Sequence, residues 1–171
     1  QLAFDFLQEA GFEQVSFQEF EFEGWQRDTV NLKIQIAGGT RQLPTVGLVY
    51  SALQADVSAP VKDAGSGLAH NFDKKTGSFE NAIALIYLGL LEDEPDGSVN
   101  LHRTRKVENA IQAGAIGVIF YNRVPGNILM TGTASFTGTI LPVPVTCITY
   151  EDGMAIKEAL QNSTPVHADL K

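Results

Sequence analysis

Lys106-Val-Glu-Asn-Ala-Ile-Gln-Ala-Gly-Ala-Ile-Gly-Val-Ile-Phe-Tyr-Asn122 is the stretch on which the fold turns. Val107, Ala110, Ile111 and Gly114 recur at helical spacing, so one stripe of a helix is apolar. Gly114 is placed to end that helix in the left-handed conformation, and the small Ala113 and Ala115 let it lie close on a sheet. The apolar run 116–121 that follows is short, rich in β-branched and aromatic residues, and stopped by Asn122, as a buried strand is. A helix feeding directly into a buried strand predicts an α/β chain.

Working outward, Leu141-Pro-Val-Pro-Val-Thr-Cys-Ile-Thr-Tyr-Glu-Asp-Gly153 repeats the theme in reverse, a Pro-flanked strand running into a helix. Thr149 stands as N-cap with Asp152 three residues on, and Ala155, Ile156, Ala159 and Leu160 form the apolar stripe. Upstream, Val30, Leu32, Ile34 and Ile36 alternate with Asn31, Lys33 and Gln35, a half-buried strand closed by Gly38-Gly39. Runs 46–50 and 82–88 read as further strands, Val166, Ala168 and Leu170 alternate as in another, and at least six strands are expected. Residues 2–10 read as the end of a helix stopped by Gly11, and Val15 to Phe22 as an irregular strand whose parity shifts midway. Segments 51–81 and 122–141 read as long loops.

Composition narrows the function classes. At 171 residues with 44% hydrophobic and 19% charged content, the chain is sized for one compact core. A net charge of -8 argues against nucleic-acid and anionic-membrane partners; the one gathering of bases, Arg103, Arg105 and Lys106, has no interleaved aromatics to stack on bases. No apolar run approaches the ~18–20 residues of a membrane span. The single cysteine, Cys147, excludes an internal disulfide and reads as a small buried hydrophobe. The chain opens on Gln1, already inside an amphipathic element, as a fragment would.

No catalytic or metal constellation emerges. His167-Ala-Asp169 has a ligand-like spacing, yet both side chains fall on the solvent face of an alternating strand. Glu92, Glu94 and Asp96-Gly97 match the start of a calcium loop, but Arg103 stands where the bidentate Glu belongs, leaving a solvated acidic turn. Gly65-Ser66-Gly67 precedes His70 without the flanks of a nucleophile elbow. Asn162-Ser163-Thr164 is a glycosylation sequon. The surface candidates are Trp25 and Arg27, residue types that concentrate at interfaces, together with Arg123, Asn127, Met130 and Phe136 on the loop rich in Gly, Thr and Ser.

The segments 106–122 and 141–160 resemble the two hallmarks of the protease-associated (PA) domain, a non-catalytic insert of several peptidase families. The Cys-x-Phe element of many members is replaced here by Asn100-Leu-His-Arg-Thr-Arg105. Residues 6–20, Glu23-Gly-Trp-Gln-Arg27 and 30–36 are similar to the approach to that insert in secreted two-zinc exopeptidases of the co-catalytic aminopeptidase superfamily, nearest the plasma glutamate carboxypeptidase group; Gly24 stands where that group has His. The resemblance implies a strand-rich mixed α/β fold, a β-barrel or sandwich sheet flanked by two or three helices. It divides the chain into a stub of adjoining peptidase sequence, helix end plus strand, over 1–29 and a PA domain over 30–171. It further implies no catalysis and no cofactor in this chain, zinc in the parent enzyme, and an extracellular or periplasmic location. The partners implied are the parent's own catalytic domain, its peptide substrate and a homo-oligomeric copy, and the role is gating of substrate access. The alternative is a free-standing peptide-binding PA module of the sorting-receptor kind.

Overall fold

The structure is a computed structural model that describes residues 1–21, 24–73 and 78–171. Among them three helices, α1 (Leu2–Glu9), α2 (Arg103–Gln112) and α3 (Tyr150–Gln161), accompany eight strands. The strands are β1 (Leu32–Ile36), β2 (Gly39–Leu43), β3 (Val46–Gly47), β4 (Val57–Asp63), β5 (Ile83–Tyr87), β6 (Gly117–Tyr121), β7 (Val145–Ile148) and β8 (Val166–Leu170). They form one curled mixed sheet, a half-barrel, in the order β2-β1-β8-β4-β5-β6-β7-β3. β4 through β7 run parallel, and the remaining pairs are antiparallel.

The helix and strand expected around Gly114 form as read. The amide of Ala115 reaches back to the Ala110 carbonyl at 3.0 Å, and Gly114 turns the chain at φ +89°. That position also lies against Glu80, so a side chain there would meet both strain and a neighbour. Thr149 caps α3 as expected: its Oγ1 accepts from the Asp152 amide at 3.1 Å and donates to the Asp152 carboxylate at 2.9 Å. The two helices cover opposite faces of the parallel strands. Val107 and Ala110 of α2 pack with Ala84, Ile86, Val118 and Phe120, while Ile156 of α3 packs with Ile83, Leu85, Ile119 and Tyr121. Strands buried on both faces explain why β5 and β6 read as unbroken apolar runs.

Three elements depart from the sequence reading. β2 forms although Thr40, Arg41 and Gln42 are exposed, because it pairs with β1 around a two-residue turn at Ala37-Gly38 with φ +50° and +79°. The loop expected over 51–81 contains β4 and a 3₁₀ turn at Ala69–Phe72; residues 74–77 lie outside the described residues. Pro60 sits where β4 changes partner, pairing with β8 over 57–60 and with β5 over 61–63, so its missing N–H interrupts neither ladder for long. Conversely, no strand forms over 13–21, and the Phe22 and Glu23 part of that expectation lies outside the described residues. Phe17 and Phe20 are exposed, and Phe17 stacks on Phe4 of α1 at 4.8 Å rather than entering a sheet. Strand formation needs a paired edge, which propensity by itself does not provide.

Candidate interaction surface

The segment after residue 24 is fastened to the sheet by Arg27. Its Nε donates to the Gly47 carbonyl at 3.0 Å, and its terminal nitrogen donates to Thr131 Oγ1 at 2.8 Å. The guanidinium lies 5.6 Å from the Trp25 ring centre, within cation–π range. Val30 then packs over Gly47, where a Cβ would be 2.9 Å from its methyl. Trp25 and Arg27 are therefore brought together, and their contacts join the approach segment to the 122–141 loop.

That loop is held from beneath by side chains that sequence reasoning passed over. Asn122, fully buried, donates to the Ile128 carbonyl at 2.9 Å and accepts from the amides of Arg123 and Val124. Glu151 of α3 accepts from the amides of Gly126 and Asn127, contacts that hold its carboxyl below the usual range. Arg103 of α2 donates to the Thr133 carbonyl at 2.7 Å, and Val49 bonds Gly132 and Ala134 at 2.9 Å each. With its backbone so tied, the loop presents Arg123 and Asn127 to solvent. Val124, Ile128, Phe136 and Ile140 are exposed apolar groups, Phe136 at 60% while resting on the His102 ring at 4.9 Å; Met130 is turned partly inward against the core. Of the six candidates, Trp25 and Arg27 lie together on the approach segment and the other four are spread along the loop, and among the described residues they form no catalytic constellation.

Several polar residues prove structural. Lys106 is fully buried, and its ammonium donates to the carbonyls of Tyr87 and Gly89 at 2.8 and 2.7 Å; burial lowers it to about 8. Arg105 pairs with Glu108. The basic gathering read from the sequence is thus divided among a core, a loop anchor and a helix surface, because successive helical positions point about 100° apart. Glu94 corrects the expectation of a wholly solvated acidic turn: its side chain is mostly buried, accepting from the Ser66 amide, Asn71 and, at 2.6 Å, His70. Burial opposes its ionisation, but the hydrogen bonds from Ser66, His70 and Asn71 prevail and hold the carboxyl low. Ser66 and His70 are thereby committed to loop structure, Ser66 Oγ accepting from the Leu91 amide. Cys147 is buried in β7 and its thiol is pushed up to about 11 by burial. His167 and Asp169 lie 4.0 Å apart on the outer face of β8. Among the described residues no group of three or more His, Cys, Asp or Glu side chains is arranged to hold a metal, and no helix is long and apolar enough to cross a membrane.

The class this defines is a strand-rich α/β module with a tethered display loop. The PA-domain family model matches residues 44–156, about two thirds of the chain, and the chain belongs to the PA-domain family. Among solved structures it is similar to an aminopeptidase from Aneurinibacillus sp. strain AM-1, at 27% identity and a TM-score of 0.64 over 84% of this chain and 30% of that one. It is similar also to a zinc aminopeptidase from Bacillus subtilis, at 26% identity and a TM-score of 0.60 over 83% of this chain and 30% of that one. A peptidase M28 precursor from Shewanella amazonensis shares the fold over 99% of this chain and 39% of its own, at 19% identity and a TM-score of 0.71. The chain thus spans about a third of the length of these relatives. No curated protein matches it.

Proposed function

We propose that this chain is the non-catalytic PA insert of an exported, zinc-dependent exopeptidase, in which residues 1–29 are adjoining peptidase sequence and 30–171 the domain. Its role is to gate substrate access and to make protein contacts with the catalytic domain. The observation that carries this reading is the uncovered apolar surface of the approach segment. α1 buries none of its residues, and Leu2, Phe6, Phe12, Phe17 and Phe20 all stand exposed. An apolar face of that extent marks a contact surface, and the fold shared with the Shewanella peptidase runs through this segment as well. Zinc, the catalytic residues and export are assigned to the parent by likeness to the aminopeptidases, and peptide is the substrate class.

The isolated chain is expected to hydrolyse no peptide with or without added zinc. In the full-length enzyme, Phe136→Ala, Arg123→Ala and Asn127→Ala are expected to raise KM severalfold for peptides of four or more residues and to leave dipeptide turnover unchanged. Hydrolysis by the chain alone, or unchanged kinetics and assembly in all three variants, would overturn the reading.

A further inference from the structure

β2 is the terminal strand of the sheet, and its outer hydrogen-bonding edge is bare. Across a two-residue turn the flanking pair, Ile36 and Gly39, is hydrogen-bonded, and so are the pairs in phase with it, Ile34 with Arg41 and Leu32 with Leu43. The N–H and C=O of Thr40 and Gln42 therefore point away from β1, and among the described residues no group receives them. At the other end of the sheet Arg27 covers the Gly47 carbonyl of β3. A row of unpaired backbone groups is a template for a further strand.

On the α3 side of this edge lies a hollow of about 340 Å³. Ile36, Leu43, Ala155 and Ile156 give it apolar walls, and Gly39 has no side chain to fill it. At its rim Arg41 pairs with Asp152, whose other oxygen is taken by Thr149. The Arg41 side chain is still 70% exposed, so its guanidinium keeps donors for a further acceptor. From residue 29 to residue 55 the chain holds Lys33 and Arg41 and no Asp or Glu, a basic stretch in a protein of net charge -8.

We infer that β2 accepts an extended, acidic segment of a partner polypeptide as a ninth, antiparallel strand, with a carboxylate side chain beside Arg41 and an apolar one two positions later beside Gly39. Residues two apart in a strand share a face, so both side chains turn toward α3 together. The partner's main chain bonds Thr40 and Gln42, its apolar side chain fills the hollow, and its carboxylate completes Arg41. Main-chain pairing supplies affinity in this mode and the hollow supplies selectivity. The partner is acidic because the edge is basic; β2 itself carries no carboxylate, so a second copy's edge does not satisfy Arg41. This surface lies outside the display loop and is independent of the gating role.

The test is a titration of the ¹⁵N-labelled 171-residue chain with acetyl-Thr-Glu-Thr-Leu-Thr-amide, blocked at both ends, followed by amide shifts. Saturable shifts are expected at Thr40, Arg41, Gln42 and Ile156. Methylating the central peptide nitrogen, which faces Thr40, should weaken binding about tenfold, and Glu→Gln and Leu→Ala peptides should bind severalfold more weakly. Two variants address the protein side. Thr40→Pro deletes only an outward N–H, and Gly39→Val places a side chain in the hollow, where a Cβ meets nothing nearer than the Ile36 carbonyl at 3.6 Å. Each should fold as wild type and bind about tenfold more weakly. The absence of saturable shifts over 40–42 at millimolar peptide, equal binding of the N-methyl peptide, or unchanged binding by the folded variants would overturn the inference. So would a concentration-dependent dimer in sedimentation that protects the Thr40 and Gln42 amides from exchange, since a second copy would then be the occupant. These results leave the full-length kinetics that test the gating role untouched.

Discussion

Replacing the buried Lys106 by Met should change how stability depends on pH. The ammonium is fully enclosed and held by two carbonyls, with no carboxylate of the described residues within ion-pair distance, and burial lowers it from 10.5 to about 8. Below pH 8 the folded and unfolded chains both keep the proton, and the full unfavourable contribution, about 3 kcal/mol, is present. Between pH 8 and 10.5 the unfolded chain still binds a proton that the folded chain has released. The Lys106 contribution therefore becomes less unfavourable as pH rises, by about 2 kcal/mol between pH 7 and 9.5. Cys147 acts in the opposite direction. Its folded thiol lies at about 11, so ionisation of the unfolded thiol above about 8.5 lowers stability as pH rises. Wild-type stability alone can consequently look flat, and the informative quantity is the difference between wild type and Lys106→Met. Urea unfolding at half-unit steps from pH 7 to 9.5 should show wild type gaining about 2 kcal/mol on the variant. A difference constant with pH would refute the placement of a desolvated ammonium in this core.

Other expectations follow from single contacts. Asn122→Ala removes one donor and an acceptor shared by two amides beneath the display loop, and should cost about 2–3 kcal/mol in urea unfolding, with protection from amide exchange lost first over 122–128. Gly153→Ala would drive a methyl into the Tyr121 ring, on which α3 rests directly; overpacking of about 1–3 kcal/mol should lower the thermal midpoint by several degrees. Thr149→Ala deletes the cap of α3 and should cost about 1 kcal/mol, with Thr149→Ser restoring most of it in the same measurement.

The segments 106–122 and 143–160 were legible in the sequence because their signals are local. A stripe at helical spacing, a Gly at the helix end and a Thr cap act between residues within a few positions of one another, and the structure forms them where they were read. Alternation likewise placed β1 and β8, since the side-chain period of a strand is independent of its partner. What pairs with what was decided by the tertiary structure. β2 has almost no apolar signal and exists because its backbone completes β1; β4 is interrupted by Pro60 and exists because β8 and β5 flank it; residues 13–21, with stronger aromatic content, remain outside the sheet. The same holds for charge. Lys106 and Glu94 read as members of a basic gathering and a solvated acidic turn, and they are buried because carbonyls of Tyr87 and Gly89 and the 64–71 segment surround them. Backbone pairing and the desolvation of a charge depend on groups brought in from tens of residues away. Periodicity carries no record of those groups, whereas the folded sheet fixes them.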